Sequence, residues 1–144
     1  MDTLLNISGS TSLALHAMAF ISSNPDRLIT AREIASALNA SEAHLHKVLK
    51  LLVKAKILKS VRGPRGGVML RKPIEDIRLI DIVESVEGII ITNDCLLGTK
   101  VCGGDKCIFG SMLTLVNTQV VNYLKSARLS DVSGLFESLT PARF

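Results

Sequence analysis

Two short predicted helices joined by a tight polar turn, the second of them basic, most constrain how this chain can fold. In "TAREIASALN", Thr30 and Glu33 have the spacing of a capping box, and Asn39 can end the helix. In "SEAHLHKVLKLLVKAKI", Ser41 stands where an N-cap belongs, and apolar residues at i, i+3, i+4 and i+7 form one stripe. This pattern predicts a helix-turn-helix, whose second helix lies in the DNA major groove. The stripe consists of Leu45, Val48, Leu49 and Leu52.

A predicted β-hairpin follows in "ILKSVRGPRGGVMLRKP". Two β-prone runs, 57–61 and 68–70, flank a Gly/Pro/Arg loop that has Arg62 and Arg65 at its tip. Glycines let a backbone approach phosphates closely, and a guanidinium suits the narrow, negative minor groove. The glycine spacing fits neither the P-loop nor the dinucleotide fingerprint. We therefore expect a wing, and a fold that is mainly helical with this small hairpin.

The basic residues are concentrated around these two elements. Residues 1–80 contain 12 Lys and Arg against 6 Asp and Glu, whereas residues 81–144 contain 5 against 7. Between Lys47 and Lys72 there are nine basic residues and no acidic one, a distribution that suits a polyanion such as double-stranded DNA. The residues expected to contact DNA are Ser41, His44, His46, Lys47, Lys50, Arg62 and Arg65.

Length and composition suit one domain with a helical, aliphatic core. The chain has 144 residues, of which 47% are hydrophobic and only 3% aromatic. A first helix is predicted over about 13–22 and ends at "SSNPD". Because the N-terminal segment has no basic leader and is interrupted by Gly, Ser and His, we expect a cytoplasmic protein without a membrane span. The predicted division is a DNA-binding part, 1–80, and a part with the cysteines and a dimerisation helix, 81–144.

All three cysteines lie within thirteen residues, in "CLLGTKVCGGDKC". Three thiols cannot all pair with one another, and cytosolic thiols stay mostly reduced, which favours metal binding or redox chemistry over a disulfide framework. Thiolates select zinc, copper(I) or iron-sulfur clusters. The segment has no CxxC pair and no nearby fourth Cys or His of the kind typical of structural zinc sites. The residues alone leave iron-sulfur, zinc and free thiols open.

Three motifs in order, "SVRGPRGGVML", "IDIVESVEG" and "CGGDKC", resemble the IscR/NsrR branch of the Rrf-type bacterial transcription regulators, over about residues 7–132. The resemblance implies a homodimeric winged-helix regulator of a pseudo-palindromic operator, with an iron-sulfur cluster sensing nitric oxide, redox state or cluster supply. By position, Arg62 resembles the minor-groove arginine, and residues 41–47 resemble the base-reading surface. His46 stands where some relatives carry a base-reading glutamate. The operator sequence of those relatives therefore cannot be transferred to this protein.

The resemblance implies that Cys95, Cys102 and Cys107 hold a 2Fe-2S or 4Fe-4S cluster, which purified protein can lack. Relatives take a fourth donor from a His just after the third cysteine or from an acidic residue of the first helix. Here Ile108 follows the third cysteine. The first helix offers Ser12 or His16 instead, so we expect a loosely held iron or ligation by His16.

A long helix is predicted in "MLTLVNTQVVNYLKS", with an apolar stripe wider than a small winged domain can bury alone. A second subunit would cover it, so we expect a homodimer. The expected interface residues are Met112, Leu115, Val116, Gln119, Val120 and Tyr123.

Three other classes were compared with this interpretation. A small iron-sulfur electron carrier would explain the thiols but not the basic helix and wing. A winged-helix regulator that is zinc-stabilised or thiol-based, without a cluster, explains both and remains the main alternative. The chain has no HExxH motif and no visible Ser/His/Asp set, so we do not expect an enzyme.

Overall fold

The computed structural model describes residues 7–93, 95–99, 101–102 and 106–137. Within them the fold is mainly helical with one antiparallel two-stranded hairpin, which confirms the expected architecture. Short 3-10 turns at Ile74–Asp76 and Leu129–Val132 complete the connections. The elements are α1 (Gly9–Ser22), α2 (Ala31–Leu38), α3 (Glu42–Lys54), β1 (Leu58–Val61), β2 (Gly67–Leu70), α4 (Leu79–Glu87) and α5 (Met112–Ser126).

Helix α2 begins and ends at the residues that the sequence indicates, and helix α3 begins at the predicted cap. The capping box of α2 is formed, because the Glu33 N–H donates to Thr30 Oγ1 at 3.2 Å and the Thr30 N–H donates to Glu33 Oε2 at 2.8 Å. Asn39 ends α2 in the left-handed conformation, with a φ of 50°. Ser41 then caps α3 by accepting a hydrogen bond from the His44 N–H. The apolar stripe of α3 is fully buried, as predicted.

Helix α1 lies at the centre of the hydrophobic core and packs against α2, α3 and α4. Its small side chains let neighbouring helices approach closely, and Ala14, Ala17 and Met18 have no exposed surface. The helix starts at Gly9, one turn before the predicted start, because the side chain of Ser8 caps it by accepting from the Thr11 N–H. This extra turn brings polar side chains of α1 next to two other helices.

The hairpin is fixed to the helical core at its base. Strands β1 and β2 pair with Leu58 opposite Leu70 and Val61 opposite Gly67. Val68 also exchanges two backbone hydrogen bonds with Ile29, of 2.9 and 2.8 Å, in the connection between α1 and α2. The wing is therefore held beside α2 and α3 while its tip extends outward.

Helix α4 was not predicted from the sequence patterns. It runs across the expected division at residue 80, and its side chains Leu79 and Ile82 belong to the same core as α1. Leu129, beyond α5, is also part of that core. The assignment of separate functions to 1–80 and 81–144 stays a prediction. No helix in the described part of the chain is long and apolar enough to cross a membrane.

Candidate nucleic-acid interface and cysteine loop

One face of α3 is exposed and basic, opposite its buried apolar stripe. Lys47, Lys50 and Lys54 are exposed on this face. His46 is exposed beside them, with its Nε2 3.6 Å from Glu42 Oε1. Ser41 is exposed at the helix start, where its hydroxyl is engaged in the cap. The orientation follows from helical periodicity, since burial of the stripe turns the intervening lysines to solvent.

His44 differs from its neighbours on α3 and from its predicted role. Its ring is half-buried, and Nε2 lies 2.9 Å from the hydroxyl oxygen of Ser10 in the first turn of α1. The prediction that His44 contacts DNA did not anticipate this contact. In this structure the imidazole joins two helices of the protein.

A groove of about 370 Å³ runs between α3 and the hairpin. His46 and Lys50 of α3 line one wall, and Arg62 of the hairpin lines the other. The sequence-predicted groups of the helix and of the wing therefore share one concave surface. Such a surface can follow a nucleic-acid backbone and place donors near the base edges.

The wing tip needs its glycines. Gly63 has a φ of 112°, a conformation that L-residues rarely adopt, and its carbonyl accepts from the Gly66 N–H at 2.9 Å. A Cβ on Gly66 would lie 2.2 Å from the carbonyl oxygen of Val61. The tight turn leaves Arg62 and Arg65 exposed at the end of the hairpin.

The basic charge of this surface is not neutralised by salt bridges within the part of the chain that the structure describes. Among the described residues, none of the nine basic side chains from Lys47 to Lys72 forms a salt bridge. Glu33, on the neighbouring α2, is paired with Arg27 at 2.8 Å. Partial burial acts to raise the pKa of Glu33, but hydrogen bonds from Thr30 and Arg27 outweigh it and lower that pKa. The surface thus keeps a net positive charge near neutral pH.

The three cysteines lie in the loop between α4 and α5, and their thiols are free. Cys95 is half-buried, while Cys102 and Cys107 are exposed. The Cys95 thiol points to the carbonyl oxygen of Thr99 at 3.2 Å, and its N–H donates to Asn93 Oδ1. Asn117 of α5 in turn donates to the Asn93 carbonyl at 3.1 Å, so the start of the loop is attached to α5.

In their chemistry, three accessible thiols fit a thiolate-bound centre. They are not preassembled, because no three Cys, His, Asp or Glu side chains in the described ranges are arranged to hold a metal ion. Of the suggested fourth donors, His16 has one ring nitrogen engaged within α1. His16 Nδ1 lies 2.6 Å from the Ser12 carbonyl oxygen, and its ring packs edge-on against Phe136, with centroids 6.5 Å apart.

Glu87, the last residue of α4, was missed by the sequence analysis. Its carboxylate oxygen Oε1 accepts hydrogen bonds from the hydroxyls of Ser8 and Thr11, at the start of α1. These two bonds lower the pKa of Glu87. Only the unusual polarity of "ISGST" before an apolar helix could have indicated that the hydroxyls have a partner.

Helix α5 has no buried residue of its own, although one side packs against α4. Met112, Leu115 and Tyr123 are 57 to 58% exposed, and Val116 is 37% exposed. Gln119 is exposed as well, and Val120 is half-buried. The stripe that the sequence assigns to a dimer interface is therefore largely uncovered by the rest of the described chain.

Comparison with known proteins identifies a family and several relatives. A family model described as "Rrf2: Iron-dependent Transcriptional regulator" matches residues 7–134. The HTH-type transcriptional regulator NsrR of Oceanobacillus iheyensis is 30% identical over 100 residues, which are 68% of each chain. Two other curated relatives are 37% and 32% identical over 83 and 91 residues, and this chain spans only 53% and 59% of their lengths.

Solved structures share the fold over nearly the whole chain. CymR (YrzC), the global cysteine regulator of B. subtilis, is 25% identical and superimposes with a TM-score of 0.73, covering 92% of this chain and 98% of that one. IscR of T. potens is also 25% identical, with a TM-score of 0.71, covering 98% and 95%.

Proposed function

Because this chain belongs to the Rrf2 family of DNA-binding transcription regulators, we propose that it binds a pseudo-palindromic operator as a homodimer and that a cysteine-ligated iron-sulfur cluster controls its operator affinity. The family assigns transcription regulation. The groove between α3 and the wing is the observation that supports the specific mode of binding.

In this mode the start of α3 enters the major groove, and the wing enters the adjacent minor groove. His46, Lys47 and Lys50 are exposed along α3. Arg62 lies on the wall of the protein groove opposite His46 and Lys50. The lysines neutralise phosphates, which fixes orientation but carries no sequence information. The imidazole of His46 and the guanidinium of Arg62 are the groups suited to reading base edges and groove width.

The uncovered side of α5 supports the homodimer. A second copy packed on this side would cover four large apolar side chains that are 37 to 58% exposed, so burial of each contributes about 1 kcal/mol, roughly half the value for a fully exposed side chain. Two-fold pairing of long helices is isologous, so each copy supplies the same stripe. Two DNA-binding parts related by that axis match a pseudo-palindromic site.

Cys95, Cys102 and Cys107 would hold the cluster, and their loop would have to draw together to do so. When bound, the cluster supplies a redox-active, nitric-oxide-reactive centre whose presence or loss is the signal. Asn93 and Asn117 attach the first cysteine to α5, so a change in the loop bears directly on the helix proposed as dimer interface.

A regulator without a cluster is the second candidate. Two observations favour it: the described thiols are separate, and the matched CymR structure is that of a global cysteine regulator. In this version the same thiols bind zinc or respond by oxidation, and the DNA-binding surface is unchanged.

DNA binding is tested with a duplex selected from a random pool by the purified protein. Arg62→Ala should weaken binding to that duplex by about 1–3 kcal/mol and reduce the salt dependence by about one phosphate contact. Lys125→Ala removes an exposed charge on α5, outside the groove, and serves as the control. Unchanged affinity in the Arg62→Ala variant would show that Arg62 of the wing does not contact DNA as proposed.

The cofactor is tested by anaerobic purification followed by iron, sulfide and zinc analysis. Iron and sulfide should be present together in the wild type and lost when any one of Cys95, Cys102 or Cys107 is replaced by Ala. If the protein contains stoichiometric zinc and no sulfide and still binds the operator fully, the cluster hypothesis is wrong and the zinc-stabilised regulator is supported instead.

A further inference from the structure

The first turn of α1 is bonded to two helices that are distant in sequence. On one side, the hydroxyls of Ser8 and Thr11 donate to the carboxylate of Glu87, at the end of α4. On the other side, Ser10 is hydrogen-bonded to His44, in the first turn of α3. One helical turn therefore connects the end of α4 with the start of the helix that enters DNA.

Each end of this connection lies beside a functional segment. Glu87 is the last residue of α4, before the cysteine loop begins. It lines the same cleft as Asn93, whose side chain accepts a hydrogen bond from the Cys95 N–H. His44 stands between Ser41 and Lys47, within the segment that faces the major groove in the proposed binding mode. Its N–H is also the donor in the Ser41 cap, so one residue joins the cap of α3 to α1.

The bonds on the two sides are carried by the N-cap residue and the first turn of one helix, through Ser8 and Thr11 on one side and Ser10 on the other. Ser8 Oγ also accepts from the Thr11 N–H at 3.1 Å and lies 3.1 Å from Thr11 Oγ1, which ties the turn together internally. A displacement of Glu87 is thus shared by both hydroxyls and by the turn that contains Ser10. Thr11 is 3% exposed, so this turn cannot relax freely into water.

We propose that this turn is the coupling element between the cysteine loop and DNA recognition, with Ser10 and His44 as positioning residues that set the orientation of the first turn of α3. The inference rests on the proposed control of DNA binding by the cysteine loop. It assigns His44 to transmission and leaves His46 as the exposed imidazole that meets DNA.

The first test compares the operator affinity of cluster-loaded and cluster-free protein. In the wild type the two dissociation constants should differ by about fivefold or more, the usual lower range of allosteric coupling. Ser10→Ala and His44→Ala should bring that ratio close to one while both forms still bind the duplex. Ser126→Ala, which removes a hydroxyl that donates to the nearby Tyr123 carbonyl, should keep the wild-type ratio.

Retention of the wild-type ratio in Ser10→Ala and His44→Ala would overturn the coupling role and leave the proposed function intact. Ser10→Thr keeps a hydroxyl at this position and should restore at least part of the ratio. A simple loss of packing would not produce this rescue.

A second test uses hydrogen exchange in the cluster-free protein and does not depend on sensing. Glu87→Gln should increase amide exchange at His44 and Leu45, and this increase should vanish when Ser10→Ala is also present. Glu84→Gln, one turn earlier on α4, should leave these amides unchanged. If Glu87→Gln has no effect on the start of α3, the connection does not transmit and the inference fails. If this effect is present while the wild-type affinity ratio is one, the connection stands and cluster control is wrong.

Discussion

Replacing Gly66 by Ala should displace the wing tip without changing its charge. A Cβ at this position would lie 2.2 Å from the Val61 carbonyl oxygen and 2.9 Å from that of Gly63. Contacts under 3.0 Å essentially never occur, so Val61 O and the new methyl must separate by at least 0.8 Å, from 2.2 to 3.0 Å. Both obstructing atoms belong to the backbone, so the turn itself must open.

The energetic consequence follows from the bonds at that turn. Opening it weakens the Gly66 N–H to Gly63 carbonyl bond and the pairing of Val61 with Gly67, each contributing about 1 kcal/mol. We expect a loss of about 1–3 kcal/mol in unfolding free energy. Arg62 follows Val61 directly, so its guanidinium leaves the groove, and operator binding should weaken by about 1–3 kcal/mol, as for a lost specific contact.

Fluorescence anisotropy with the selected duplex over a range of salt concentrations measures this effect. Gly66→Ala and Arg62→Ala should both weaken binding and lower the salt slope by about one, because each withdraws the Arg62 guanidinium from the DNA, and Gly66→Ala should in addition lower the melting temperature. Gly134→Ala, where a Cβ would make only ordinary contacts of 3.6 and 3.8 Å with the Glu137 side chain, is the matched control. A Gly66→Ala protein with wild-type affinity and melting temperature would refute the role assigned to the wing geometry.

Three further predictions concern the dimer, the helix cap and the acid stability. Val116→Glu together with Val120→Glu should give monomers in sedimentation experiments, and Thr118→Glu, on another side of α5, should leave the dimer intact; a persisting dimer would move the interface elsewhere. Thr30→Ala removes the hydroxyl that accepts from the Glu33 N–H, leaving only the backbone half of the α2 capping box, and should reduce the unfolding free energy by about 1 kcal/mol in urea titrations. The pKa of Glu87 lies below its usual 4.5, so its bonds contribute stability above that pH and lose it as the pH falls through the folded-state pKa; Glu87→Gln should flatten this decline in acid unfolding curves.

The parts of the fold that sequence predicts well are those with local signals. The Thr30–Glu33 capping box and the Ser41 cap act within three residues, so spacing alone reveals them. The stripe of α3 has the period of a helix and needs only a core to face. The two strands of the hairpin are joined by a loop whose geometry requires its glycines, and each strand differs from the predicted run by one residue, at its start.

The parts that sequence does not predict depend on long-range pairing. Ser10 and His44 are 34 residues apart, and Thr11 and Glu87 are 76 apart. No periodicity links such positions, and a histidine beside lysines on a basic helix resembles a DNA contact. The sequence identifies the loop thiols as residues of a metal-binding type. Among the described residues, however, they are not arranged to hold a metal ion. Cluster ligation, the dimer and the operator therefore remain predictions.

The most direct test of the central claim is the operator dissociation constant of the wild-type protein with and without its cluster. Both forms are measured anaerobically on one selected duplex at one salt concentration, with iron and sulfide content determined for each sample. Control by the cluster predicts an affinity difference of about fivefold or more that disappears when Cys95, Cys102 or Cys107 is replaced by Ala. Equal affinities, or a protein that contains only zinc and binds the operator fully, would contradict it.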